Sequence, residues 1–178
     1  MTLTLANVTS KLNWRLILIH LAATWFFYYA FQQFSYLYNI EYITIFRQPE
    51  EKEIYEALQQ HGYTVSDITN HLLIYQASGL LGMLVAEIIS LIIVLKSRWF
   101  WVNSVLVFLI MYAMGWFNIT GWTILSRVFL KPGQLFDNIT LEFLVNGIVL
   151  LLIGLFLFFS KTITKFIHQQ RAVPDKIL

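Results

Sequence analysis

A chain of 178 residues with 58% hydrophobic and only 12% charged side chains, and a mean hydropathy of +0.65, is too apolar for a soluble domain, where about 25% of residues are charged. A net charge of +2, with no cluster of lysine and arginine, excludes nucleic acid as a partner. The absence of cysteine excludes disulfides, thiolate metal sites and thiol catalysis.

The apolar residues are gathered into four runs, each close to the roughly 20 helical residues that cross about 30 Å of hydrocarbon. None alternates as a barrel strand would, so helices are expected. The expected fold is an all-α polytopic membrane protein of one domain. Its four transmembrane helices cover about 13–34, 72–95, 99–116 and 141–160 and pair as antiparallel hairpins. An external helical loop (35–71) follows the first span, and an external interfacial segment (117–140) follows the third.

Lys11 and Arg15 precede the first run, which continues into Trp25–Tyr29 without a small-residue cleavage site; it reads as a retained span, not a signal peptide. In the loop that follows, Pro49 to His61 reads as a short helix. Proline stands in its first turn, acids complement its positive end and Gly62 stops it. Ile54, Leu58 and His61 form a stripe suited to the bundle or to lipid headgroups. The second helix can begin as early as Ser66. Lys96-Ser97-Arg98 leaves room only for a tight hairpin into the third. Ile124 to Lys131 has helical spacing, Pro132-Gly133 marks a turn, and Asn138 or Asp137 is expected to cap the fourth span. Tryptophan and tyrosine crowd the span ends, as an aromatic belt requires.

Cations orient the chain. With the amino terminus inside, Lys11, Arg15, Lys96, Arg98, Lys161, Lys165, Arg171 and Lys176 are cytoplasmic, against Arg47, Lys52, Arg127 and Lys131 outside. Both termini are therefore expected in the cytoplasm. Without cysteine and with compact hairpins, a bacterial inner membrane is the expected home.

One carboxylate, Glu87, lies within an apolar span. At 1.5 Å per residue from Leu95 it sits about 12 Å into the hydrocarbon, and His20 sits about 10 Å deep from Asn13. Asn103 falls near the same depth. An ionisable side chain there costs roughly 2.5–3.5 kcal/mol and turns inward to a partner. His20, Thr24, Tyr28 and Gln32 recur every fourth residue, and Gln76, Glu87 and Ser90 share a face of the second span. These residues divide into an intramembrane site (His20, Glu87, Asn103, Thr24 and Ser90) and an outer polar layer (Tyr28, Gln32, Gln76, Tyr112, Glu142 and Asn146). Ser78, Gly82 and Ala86 form a small-residue ladder that suits close helix packing, within one chain or between copies.

No catalytic set is present: there are no paired aspartates, no reactive serine with its base and no HExxH. No metal or cofactor is expected. Haem needs two histidines at one depth, whereas His20 is internal, His61 and His71 are external and His168 is in the tail. Ile19-His-Leu-Ala-Ala-Thr-Trp25-Phe-Phe-Tyr-Tyr29 resembles the opening span of some bacterial four-helix sensor histidine kinases; that resemblance implies a membrane module and no kinase activity, since neither a dimerisation helix nor an ATP-binding domain follows. The expected function is a small, non-enzymatic integral membrane protein whose buried polar layer forms a proton, ion or small-solute pathway, which would favour a homo-oligomer. The alternatives are an accessory subunit of a larger membrane complex and a membrane enzyme with an outer-surface site built on Glu142 and a histidine.

Overall fold

The computed structural model describes residues 9–47, 54–117 and 128–169, and among these every regular element is helical. They comprise α1 (Trp14–Ser35), a 3₁₀ turn (Tyr36–Tyr38), α2 (Ile40–Phe46), α3 (Ile54–Gln60), α4 (Val65–Lys96), α5 (Val102–Trp116), a second 3₁₀ turn (Gly133–Leu135), α6 (Ile139–Phe159) and α7 (Lys161–His168).

Side chains fix most of the boundaries. Asn13 Oδ1 accepts the Leu16 N–H and caps α1; Asn39 accepts the Tyr42 N–H and caps α2. Thr64 and Asp67 form a reciprocal capping box at the start of α4, with Asp67 accepting the Thr64 N–H at 2.8 Å. Asn138, not Asp137, caps α6, accepting from Thr140 and Leu141. Two helices end in Schellman motifs. After α3, the Tyr63 N–H reaches Leu58 O and the Gly62 N–H reaches Gln59 O, with Gly62 at φ +85°. After α4, the Trp99 N–H reaches Val94 O and the Arg98 N–H reaches Leu95 O, with Arg98 at φ +53°. Five residues, 97–101, then carry the chain into α5, a longer turn than the three residues expected. Ser160, in an extended conformation, separates α6 from α7.

Two helices, α4 and α6, are long and apolar enough to cross a membrane, and α5 is a shorter apolar helix. Only 33% of the most apolar window of α4 and 39% of that of α6 is buried. Leu80, Leu84, Ile88, Ile92 and Leu95 of α4 and Leu144, Ile148, Leu152 and Phe156 of α6 face outward. The core helix of a soluble protein would bury such a surface, whereas hydrocarbon is its natural solvent. The length of α1 would also suffice, but His20, Thr24, Gln32 and Gln33 make it more polar.

The chain divides into two compact units, to both of which α1, α4 and α6 contribute. In the first (1–27, 83–121 and 152–178), Leu16, Val94, Trp99 and Ile167 form a buried cluster with Ile163 against it. This cluster docks α7, a helix absent from the sequence expectation, and Arg15 donates to Phe166 O at its far end. In the second unit (28–82 and 122–151), Tyr42, Ile43, Ile45, Ala57, Leu58 and Phe143 form the core. Leu58 therefore packs inside this unit and His61 is exposed, so the expected stripe is divided. The sequence reading also missed α2. The helix expected at Ile124–Lys131 lies largely outside the described residues, as does the start of the one expected from Pro49.

Glycine geometry gives a sign test. A Cβ at Gly62 or at Gly115 would meet nothing within 4 Å, so only the backbone decides. Gly62→Ala forces a left-handed alanine and is expected to cost about 1 kcal/mol. Gly115→Ala, within α5, should be neutral or stabilising by up to about 1 kcal/mol. Thermal midpoints of the two variants in detergent should move in opposite directions.

Candidate functional site

In the first unit, polar side chains from α1, α4 and α5 meet in the interior. His20 Nδ1 lies 2.8 Å from Ser90 Oγ, which lies 2.8 Å from Ser104 Oγ. Thr24 donates to His20 O at 2.8 Å, and the edge of Phe158 packs on the imidazole with centroids 5.0 Å apart. His20, Thr24, Ser90 and Ser104 are all buried. The imidazole and two hydroxyls satisfy one another and tie three helices together, an arrangement worth roughly 0.6 kcal/mol per bond in a membrane protein.

Glu87 takes no part in this network. The expected pairing of Glu87 with His20 is corrected: the histidine bonds Ser90, and Glu87 Oε2 is buried with no hydrogen-bond partner on a half-buried side chain. Asn103 is buried but separately engaged. It accepts the Asn13 N–H at 2.9 Å and donates to Phe100 O, bracing the start of α1.

The second unit holds a cavity of about 410 Å³. Tyr36, Tyr42, Phe46, Tyr75 and Phe143 give it aromatic walls, and Gln33, Arg47, His71, Glu142 and Asn146 supply polar atoms. The Arg47 guanidinium grips Glu142 through two bonds of 2.6 and 2.9 Å and lies over the Phe143 ring. The Glu142 hydrogen bond raises the Arg47 pKa further above its ordinary value. Burial raises Tyr36 and Tyr42 above the usual tyrosine range, so both phenols stay neutral donors at physiological pH. His71 stacks on Tyr42, centroids 4.2 Å apart, and its Nδ1 lies 2.8 Å from Asp67 O. Because a carbonyl only accepts, Nδ1 carries a proton toward it, and Nε2 is buried without a partner. Gln33 Oε1 is likewise buried and unpartnered, on a side chain 5% exposed.

The expected outer layer is only partly assembled. Glu142 and Asn146 line the cavity, where Asn146 Oδ1 accepts the Gly133 N–H at 2.8 Å. Tyr28 and Gln32 pack on Gly79, where a Cβ would come within 2.6 Å of the tyrosine ring. Gln76 and Tyr112 are corrected, since both are exposed. The four-residue stripe on α1 (His20, Thr24, Tyr28 and Gln32) does stay buried or half-buried. Of the small-residue ladder, Gly82 and Ala86 are buried within the chain itself.

Sequence reasoning missed Gln33, Arg47 and Ser104 as site residues, and named His71 only as an alternative to His61 beside Glu142 in an outer-surface enzyme site or as an external metal ligand. Gln33 adjoins Gln32, and a pair of glutamines inside an apolar helix was a usable signal. Nothing local could have joined Arg47 to Glu142, 95 residues apart. No family model, curated protein or solved structure matches this chain.

A double-mutant cycle separates the two pairings. His20→Phe and Ser90→Ala should show a coupling of about 0.5–1 kcal/mol in thermal or denaturant unfolding. His20→Phe and Glu87→Gln should be additive within about 0.3–0.5 kcal/mol.

Proposed function

We propose that this chain is a non-enzymatic, four-span membrane protein whose cavity beneath the loop 35–71 receives a small, mostly apolar, ring-bearing molecule carrying a hydroxyl or amine donor. The observation that carries the reading is the aromatic cavity with Gln33 Oε1 buried and unpartnered at its wall. A buried acceptor left unpaired costs roughly 1–3 kcal/mol, which a donor on a bound molecule would recover. His71 Nε2 offers a second acceptor, and the tyrosine, phenylalanine and histidine rings suit a planar guest.

The topology in this proposal takes α1, α4, α5 and α6 as the spans, with both termini on the cation-rich cytoplasmic side of a bacterial inner membrane. At 1.5 Å per residue α5 measures about 22 Å, and aromatic residues flank it where the bilayer meets water. The 32 residues of α4 reach about 48 Å, more than the hydrocarbon needs, which leaves its first turns to the external side with His71. The mutually satisfied His20–Ser90–Ser104 group supports packing in preference to a proton or ion pathway. Engagement of Glu142 by Arg47 gives an outer-surface hydrolase no carboxylate–histidine pair.

A second reading rests on Glu87. Glu87 is half-buried beside the outward-facing Leu84 and Ile88, and a rotamer change would bring its unpartnered Oε2 to a donor on a partner helix, which would make the chain an accessory subunit of a larger membrane complex. Purification in gentle detergent should then yield a partner that Glu87→Gln releases.

The ligand reading is tested in nanodiscs with 4-propylphenol and its O-methyl ether, which differ by one donor and both partition into lipid. The phenol should raise the thermal midpoint with concentration, the ether should not, and Gln33→Leu should remove the difference. Equal effects of the two compounds, or an unchanged response in Gln33→Leu, would overturn the reading.

A further inference from the structure

A second cavity, of about 540 Å³, opens in the first unit where α1 begins and the α4–α5 turn passes. Ser10, Lys11, Asn13, Arg98, Trp99 and Asn103 supply its polar lining, and no carboxylate is among the lining residues. We propose that this cavity is a phosphate-binding site that takes either a phospholipid headgroup or a soluble phosphate ester. It is independent of the aromatic cavity and of any ligand there.

Three observations converge on an anion. The first is the pair of cations, Lys11 and Arg98, brought to one cavity from opposite sides of a long sequence separation. The second is Trp99. Its indole N–H can only donate, yet Nε1 is buried with no acceptor on a side chain 8% exposed. Trp99 lines the cavity, and a small turn of the indole would bring this N–H to an oxygen-rich ligand there. The third is the use made of the two asparagines. Asn13 Oδ1 accepts the Leu16 N–H and Asn103 Oδ1 accepts the Asn13 N–H, so both amide oxygens are already engaged by backbone groups. With one Asn103 N–H given to Phe100 O, what the lining offers a ligand is led by the charge of Lys11 and Arg98.

The backbone adds a reason to select arginine at this turn. Arg98 occupies the left-handed region at φ +53°, where glycine is the usual residue of a Schellman motif. A non-glycine residue there is disfavoured by about 1–2 kcal/mol. Retaining arginine places a guanidinium at the cavity, a planar donor fork suited to phosphate oxygens. The amino-terminal end of α5, a 15-residue helix whose first turn includes Asn103, adds its positive dipole end to the same region.

The test uses the full chain in detergent, with dioleoyl phosphatidic acid, dioleoylglycerol and inorganic phosphate as probes and binding read by native mass spectrometry and thermal midpoint. Phosphatidic acid should bind and stabilise, and the phosphate-free diacylglycerol should not. Competition by millimolar inorganic phosphate assigns the site to soluble phosphates; indifference to it assigns the site to lipid headgroups. Lys11→Gln, at an exposed position, should weaken phosphatidic acid binding about tenfold, as expected for loss of a charge-assisted bond. Trp99→Phe, which keeps the ring and removes the N–H, should weaken it several-fold. Lys131→Gln, which is not among the lining residues, should leave it unchanged. Binding of diacylglycerol as tight as that of phosphatidic acid, or affinity for phosphatidic acid unaltered in both Lys11→Gln and Trp99→Phe, would overturn the proposal.

Discussion

The outward faces of α4 and α6 are apolar along nearly their whole length, and the rest of the molecule is arranged around the solvent those faces require. Leu80, Leu84, Ile88, Ile92, Leu152 and Phe156 are exposed in a chain with few charges to mask them. In water such a surface would drive association, whereas in hydrocarbon it costs nothing. Every described element is helical, which pairs the backbone groups within each segment, and side chains close the helix ends. Asn13, Asn39, Thr64 with Asp67, and Asn138 close helix starts, and two Schellman motifs close helix ends.

The same rule applies to side chains and sharpens the meaning of its exceptions. His20, Ser90 and Ser104 satisfy one another, and Asn103 is spent on the start of α1. Against that background the buried atoms without partners stand out: Gln32 and Gln33 Oε1, His71 Nε2, Glu87 Oε2 and Trp99 Nε1. Gln33 and His71 line the aromatic cavity and lack donors; Trp99 lines the cationic cavity and lacks an acceptor. The two cavities thus call for opposite chemistries. Glu87 lines neither cavity.

The sequence made the helices legible because run length and caps are local properties. Spans expected at about 13–34, 72–95, 99–116 and 141–160 correspond to helices Trp14–Ser35, Val65–Lys96, Val102–Trp116 and Ile139–Phe159, and both Gly62 and Asn138 act as their chemistry dictates. What escaped is what depends on azimuth and on distant partners. Counting residues along a helix gives an expected depth and nothing more. Direction around the axis does not follow: Ser90, about 60° from Glu87 around α4, takes the imidazole instead. The short helix Ile40–Phe46 shows only Glu41 and Thr44 as a polar face, in a stretch otherwise of tyrosine, isoleucine and phenylalanine, although Asn39 and Glu41 were its start signal. Arg47 with Glu142 is visible only once the fold brings them together.

The account stands on the outward faces of α4 and α6 lying in lipid, and the natural absence of cysteine makes that directly measurable. Single cysteines at Ile88, Leu152, His61 and Lys161 would be labelled in sealed proteoliposomes with a membrane-impermeant maleimide. Ile88→Cys and Leu152→Cys should stay unlabelled until detergent is added, while His61→Cys and Lys161→Cys should react from opposite sides of the bilayer. Labelling of Ile88→Cys and Leu152→Cys in intact vesicles as fast as at the two end positions would contradict the account.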